Sequence, residues 1–141
     1  MEIEGMNRRI PLAGIALALS MVALGPGASG TAQAQFNQPF LYCFVSPNEM
    51  QGGPLGRCTS MYPSPSYSAY FAIHNLPAAN YSFVWTNQNG QVLPCNSAHC
   101  TVNYIGGMAI GDTIHVNYTN LQTGASNTLS RALAINGPLQ P

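Results

Sequence analysis

After residue 34 no stretch of this chain keeps a helical period. Its apolar residues come in short runs, many of them alternating, and the runs are cut by Pro, Gly or Asn. A chain patterned this way has to bury its apolar side chains between sheets. Phe40-Leu41-Tyr42-Cys43-Phe44-Val45 is apolar throughout and rich in aromatic residues, which predicts a buried strand ended by Ser46-Pro47-Asn48. Tyr67 to Ile73 predicts a second strand, before the turn at Asn75-Leu76-Pro77. In Tyr81 to Thr86, the residues Tyr81, Phe83 and Trp85 fall on one face, as a half-buried strand requires. Asn89-Gly90 predicts a hairpin with Gln91-Val92-Leu93 as its returning strand, and Pro94 marks an edge or an end.

Cys100 to Tyr104 and Asp112 to Thr119 follow, the latter with Ile114, Val116 and Tyr118 on one face. Asn127 to Ile135 closes the pattern. There Arg131 is in phase with Leu129 and Leu133, so either a bulge turns it outward or it lies at the rim. Residues 46–66 hold Pro47, Gly52-Gly53-Pro54, Gly56, Pro63 and Pro65, and predict the longest irregular stretch. The expected fold is all-β: a single antiparallel sandwich of about seven strands.

The first 34 residues read as an export signal rather than as part of that domain. Met6-Asn7-Arg8-Arg9 is a basic head, Leu12 to Leu24 an apolar run, Gly25-Pro26-Gly27 a break, and Ala32-Gln33-Ala34 a small-residue cleavage site. The run has 13 residues, whereas a membrane span needs about 20. Cleavage is therefore expected after Ala34, leaving Gln35 as the new N-terminus and 35–141 as one exported domain, periplasmic or secreted. No membrane span is expected after cleavage.

Past residue 34 the charged side chains are Glu49, Arg57, Asp112 and Arg131, with no lysine. Without a basic patch the chain is a poor nucleic-acid ligand and has no polybasic hold on anionic lipid. Its surface has to be made polar by Asn, Gln, Ser, Thr and Tyr. A net charge near zero suits a chain that works in a crowded envelope or an assembly.

Export also governs the reading of the four cysteines, because exported thiols normally pair. More than one connectivity is open. The local one, Cys43 with Cys58 and Cys95 with Cys100, is favoured: a bridge across the neck of the Cys95–Cys100 loop is sterically easy, and the segment around Cys58 can return to the Cys43 strand. The rival is a metal site of Cys95, His99 and Cys100, whose thiolate and imidazole donors suit zinc or copper. That loop lacks a repeated Cys-x-x-Cys spacing, so no metal or other cofactor is expected.

Catalytic groups are sparse. Glu49 and Asp112 would have to converge to act as a carboxylate pair. Asp112 could join His74, His99 or His115 in a relay, but no Gly-x-Ser-x-Gly elbow presents a nucleophile. His115, between Ile114 and Val116, is expected to face away from the core. No catalytic residue is assigned. The aromatic segment Met61-Tyr62-Pro63-Ser64-Pro65-Ser66-Tyr67, with Tyr70 after it, offers Tyr62, Tyr67 and Tyr70 as binding candidates for a protein or glycan partner. The competing reading puts one or two of these tyrosines in the core.

Tyr81-Ser82-Phe83-Val84-Trp85, the Asn89-Gly90 hairpin and Gly111-Asp112-Thr113-Ile114-His115-Val116 together resemble the immunoglobulin-like and PKD-like domains of bacterial surface and secreted proteins. The likeness covers about half of the exported part. It implies a sandwich with a core tryptophan and a binding, spacer or structural role. The expected function is thus a non-catalytic binding or structural module of the envelope or the extracellular space. The alternatives are a small exported enzyme or enzyme inhibitor that uses the 46–66 loop, and a subunit of a surface assembly.

Overall fold

A computed structural model describes residues 37–136 of the 141-residue chain. The export signal, its cleavage point and the Gln35 terminus lie outside the described residues. Within them the protein is all-β, built as two four-stranded sheets. The strands are β1 (Phe40–Ser46), β2 (Gly56–Arg57), β3 (Thr59–Ser60), β4 (Ser66–His74), β5 (Tyr81–Thr86), β6 (His99–Ile105), β7 (Ile110–Asn120) and β8 (Ser126–Ile135). Sheet A has the order β2-β1-β4-β6 and sheet B the order β3-β8-β7-β5.

Every long pairing is antiparallel: β1 with β4, β4 with β6, β5 with β7, and β7 with β8. The two short strands differ, since β2 runs parallel to β1 and β3 parallel to β8. The sheets are therefore mixed. The extra pairings come from the 46–66 segment, which is less irregular than its prolines and glycines predict. It leaves the edge of sheet A at Arg57 and joins the edge of sheet B at Thr59, so Cys58 sits at the crossing. Gly56 makes the first half of this crossing possible. It has φ 79°, and a Cβ there would run into the Cys43 carbonyl. Ser60, 1% exposed, anchors the second half by donating its hydroxyl to the Pro47 carbonyl at 2.7 Å.

The core lies between the sheets. Leu41, Cys43, Val45, Tyr67, Ala69, Phe71 and Ile73 come from sheet A, and Trp85, Ile114, Val116, Tyr118, Leu133 and Ile135 from sheet B. Tyr81, Phe83 and Trp85 share one face as expected, with Trp85 fully buried and its indole N–H donating to the Ser97 carbonyl at 2.9 Å. Two sequence expectations need correction. β1 is not buried on both faces, because only its alternate residues Leu41, Cys43 and Val45 are buried. The segment after Asn89-Gly90 does turn back, with Gly90 at φ 74°. It pairs with β5 only briefly, through the Thr86–Val92 bridge and the backbone hydrogen bonds from Asn87 to Gln91 and from Leu93 to Trp85, while the Asn87 side-chain oxygen accepts from the turn amides of Asn89 and Gln91. The β7–β8 register is unbroken, so no bulge rescues Arg131. It stays half-buried opposite Ile114, where β8 has no β3 neighbour. An inward-pointing charge at such a bare edge discourages strand addition.

Candidate functional site

The disulfides are Cys43–Cys58 and Cys95–Cys100. Cys43 and Cys58 are both buried and tie the sheet-to-sheet crossing to β1, while the second bridge closes the loop into β6. Two disulfides belong to an oxidising compartment. With both thiols consumed, the Cys95–His99–Cys100 metal reading falls. No group of three or more His, Cys, Asp or Glu among the described residues could hold a metal. No helix among them is long and apolar enough to cross a membrane.

The carboxylates have structural partners. Glu49 pairs with Arg57 at 3.0 Å and accepts from the Met61 amide, also at 3.0 Å. Backbone hydrogen bonds, chiefly, hold its pKa below the usual value, with Arg57 adding to the effect. Asp112 accepts from the amides of Gln88 and Thr113 and from the Tyr104 hydroxyl at 2.9 Å. Since Tyr104 stands on β6 and Asp112 on β7, this last bond fastens sheet A to sheet B. Burial, and then the Asp112 carboxylate, push the Tyr104 phenol far above its ordinary pKa. His115 lies on the outer face of sheet B, with Nδ1 2.7 Å from the Ser130 hydroxyl. Asp112 alternates onto the opposite, inner face of the same strand, so these groups form no relay.

The three candidate tyrosines separate. Tyr67 is 2% exposed, and its hydroxyl donates to the Tyr62 carbonyl at 2.6 Å; it is a core residue that no partner can reach. Tyr62 is exposed in the loop. Tyr70 is 42% exposed on the outer face of sheet A. Register decides this split, because Tyr67 pairs with Tyr104 and Tyr70 with Thr101, which places them on opposite faces.

Around Tyr70 the structure assembles a set of rings that the sequence reading did not single out. Phe40, Tyr42 and Phe44 project outward from β1, Tyr70 and His74 from β4, and His99 from β6. His74 stands between Phe40, at 5.2 Å between centroids, and Tyr42, stacked at 5.0 Å. Tyr42 meets Tyr70 edge-on at 6.4 Å, and Tyr70 is 6.3 Å from His99. The result is a continuous belt of rings across three strands. The loop before β2 borders it: a Cβ on Gly52 would approach the Phe44 ring to 2.9 Å. Met50 and Leu55 in that loop are 57% and 52% exposed. The signal in the sequence was the alternate placing of Phe40, Tyr42 and Phe44. It was masked because the residues between them are apolar too.

Compared with family models, with curated proteins and with solved structures, the chain matches none.

Proposed function

We propose that the domain is an exported, non-catalytic binding module that grips a protein partner with the outer face of sheet A. The observation that carries this reading is the belt of Phe40, Tyr42, Phe44, Tyr70, His74 and His99, with Tyr70, His74 and His99 exposed and the three β1 rings part-exposed beside the loop before β2. Rings fixed on a sheet lose little conformational freedom on binding. The belt and its border combine Phe, Tyr, Met and an Arg57 guanidinium with no lysine, which is the residue bias of protein contact surfaces. Secretion or residence in the periplasm belongs to the same proposal and is supported by the two disulfides and the signal-like leader.

An immunoglobulin-like relationship is also part of the proposal. Strands β1, β4 and β6 in one sheet, with β5, β7 and β8 in the other, follow the order of strands A, B, E and C, F, G of that arrangement. Trp85 then occupies the strand C position for a core tryptophan. Folds of this kind serve widely as binding modules, although the architecture alone assigns no partner.

The test is site-specific cross-linking. A photoreactive phenylalanine analogue at position 42 or 70, introduced in the expressing organism, should trap a protein adduct of fixed mass. The same group at position 128, on sheet B, should not. Adducts from position 128 as readily as from position 42, or none from 42 and 70, would reject the assignment. A protease-resistant carbohydrate adduct would replace the protein partner with a glycan.

A further inference from the structure

A second candidate site lies at the end of the sandwich where β1 and β5 begin, next to the Phe40 end of the ring belt. A cleft of about 230 Å³ opens there between Gln38, Pro39, Pro77, Tyr81, Tyr118, Asn120, Ala125 and Asn127. The sequence converges on it by register. Asn120 lies opposite Tyr81, and Asn127 opposite Tyr118, on adjacent strands of sheet B. Turns at Pro77 and Ala125 close two sides.

Tyr118 is the telling residue. It is 6% exposed, with its ring edge-on to Tyr81 at 5.9 Å. The hydroxyls of Tyr67 and Tyr104 each have a protein acceptor. The Tyr118 ring is buried, but its hydroxyl has no protein partner among the described residues and is not shut off from solvent where the residue lines the cleft. A phenol hydroxyl that only water satisfies is free to bond with whatever occupies the cleft. Burial, and then the neighbouring Tyr81, raise its pKa; it stays protonated and both donates and accepts.

The rest of the lining narrows the ligand. Asn120 spends its side-chain oxygen on the amides of Gln122 and Thr123, which leaves its NH₂ as a donor. Gln38 and Asn127 add amide groups, while the tyrosine rings and Pro39, Pro77 and Ala125 supply apolar wall. No charged side chain lines the cleft, so nothing there repays the desolvation of an ion. Clefts that enclose drug-sized ligands run to about 300–1,000 Å³, and this one takes a single ring. We propose that the cleft binds one neutral, hydroxyl-rich sugar ring, a free or terminal pyranose. The proposal is independent of the ring belt on sheet A.

The probes are methyl glucoside, galactoside and mannoside, N-acetylglucosamine, and glucuronate as the charged control. Each is titrated into the isotope-labelled protein and followed by amide correlation spectra. At least one neutral sugar should shift the side-chain amides of Asn120, Asn127 and Gln38 saturably. Tyr118→Phe keeps the ring and has no protein hydrogen bond to lose, so its melting temperature should match the parent while affinity drops about 3–10-fold. Asn127→Ala, an independent variant on the opposite strand, should weaken the same sugar. The proposal fails if no neutral sugar moves these amides, if both variants bind as the parent does, or if glucuronate binds as well as the glucoside. Shifts confined to the residues around Tyr42 and Tyr70 would also sink it, by moving the sugar onto the ring belt.

Discussion

The two outer faces of the sandwich meet the same solvent with opposite chemistry. Sheet A shows the ring belt from Phe40 to His99. Sheet B shows hydroxyls and amides that bond to one another across strands: His115 to Ser130 at 2.7 Å, Asn117 to Thr128 at 3.2 Å and Thr119 to Ser126 at 2.7 Å. Hydrophobic burial stabilises at about 25 cal/mol per Å², so the rings gain from being covered, whereas the polar ladder already has its partners and water. The difference teaches that exposure alone does not mark a contact surface. What marks one is apolar area left wet on a rigid support.

The support has to be shared for that comparison to hold. Trp85 packs beneath both faces, and its substitution by Ala should have the largest effect of any single change. We expect a loss of about 3–5 kcal/mol from the cavity, read as a lower denaturation midpoint, with the Ser97 carbonyl also losing its donor. Both faces should lose order together, in one transition. Separate transitions would mean that the sheets are held independently and that the faces cannot be compared as parts of one body.

The fastening between the sheets gives the next effect. Tyr104→Phe removes the Tyr104–Asp112 hydrogen bond and should cost about 1.5 kcal/mol, since Asp112 keeps the amides of Gln88 and Thr113. Burial of the same phenol, with Asp112 adding to the effect, fixes a pH dependence. The folded-state pKa of Tyr104 is raised, so its contribution is complete below the unfolded value of about 10. Above that pH the unfolded chain gives up its proton while the folded chain keeps it, and stability falls. In Tyr104→Phe this part of the alkaline decline should flatten. An identical alkaline slope in both proteins would show that burial and Asp112 do not hold the Tyr104 proton in solution.

How these features read in the sequence depends on how many faces each strand buries. Tyr81, Phe83 and Trp85 alternate with Ser82, Val84 and Thr86, so their inward face was legible. The local disulfides were legible too, because each is closed by nearby chain. Phe40 to Val45 hid its outward rings behind an unbroken apolar run, since periodicity cannot separate a doubly buried strand from one with an aromatic outer face. Tyr67 and Tyr70 sit in one aromatic stretch, and only the pairing register sends them to opposite faces. The parallel additions of β2 and β3 left no pattern, because two-residue strands are too short to carry a period.

The smallest expected effect compares the faces directly. Tyr42→Ser on sheet A should shorten retention on a hydrophobic-interaction column, because it replaces a half-buried ring of the belt with a hydroxyl. Thr128→Ala on sheet B should leave retention almost unchanged. The partner it abandons, the Asn117 amide, is exposed and turns to water. Its stability cost should be below about 1 kcal/mol, the upper range for a cross-strand pair. If Thr128→Ala lowered stability as much as Tyr104→Phe does, the ladder would be a structural strap rather than a solvated face. Sheet B would then resist being covered because its hydrogen bonds are needed by the fold, and the contrast with sheet A would rest on stability instead of on wet apolar area.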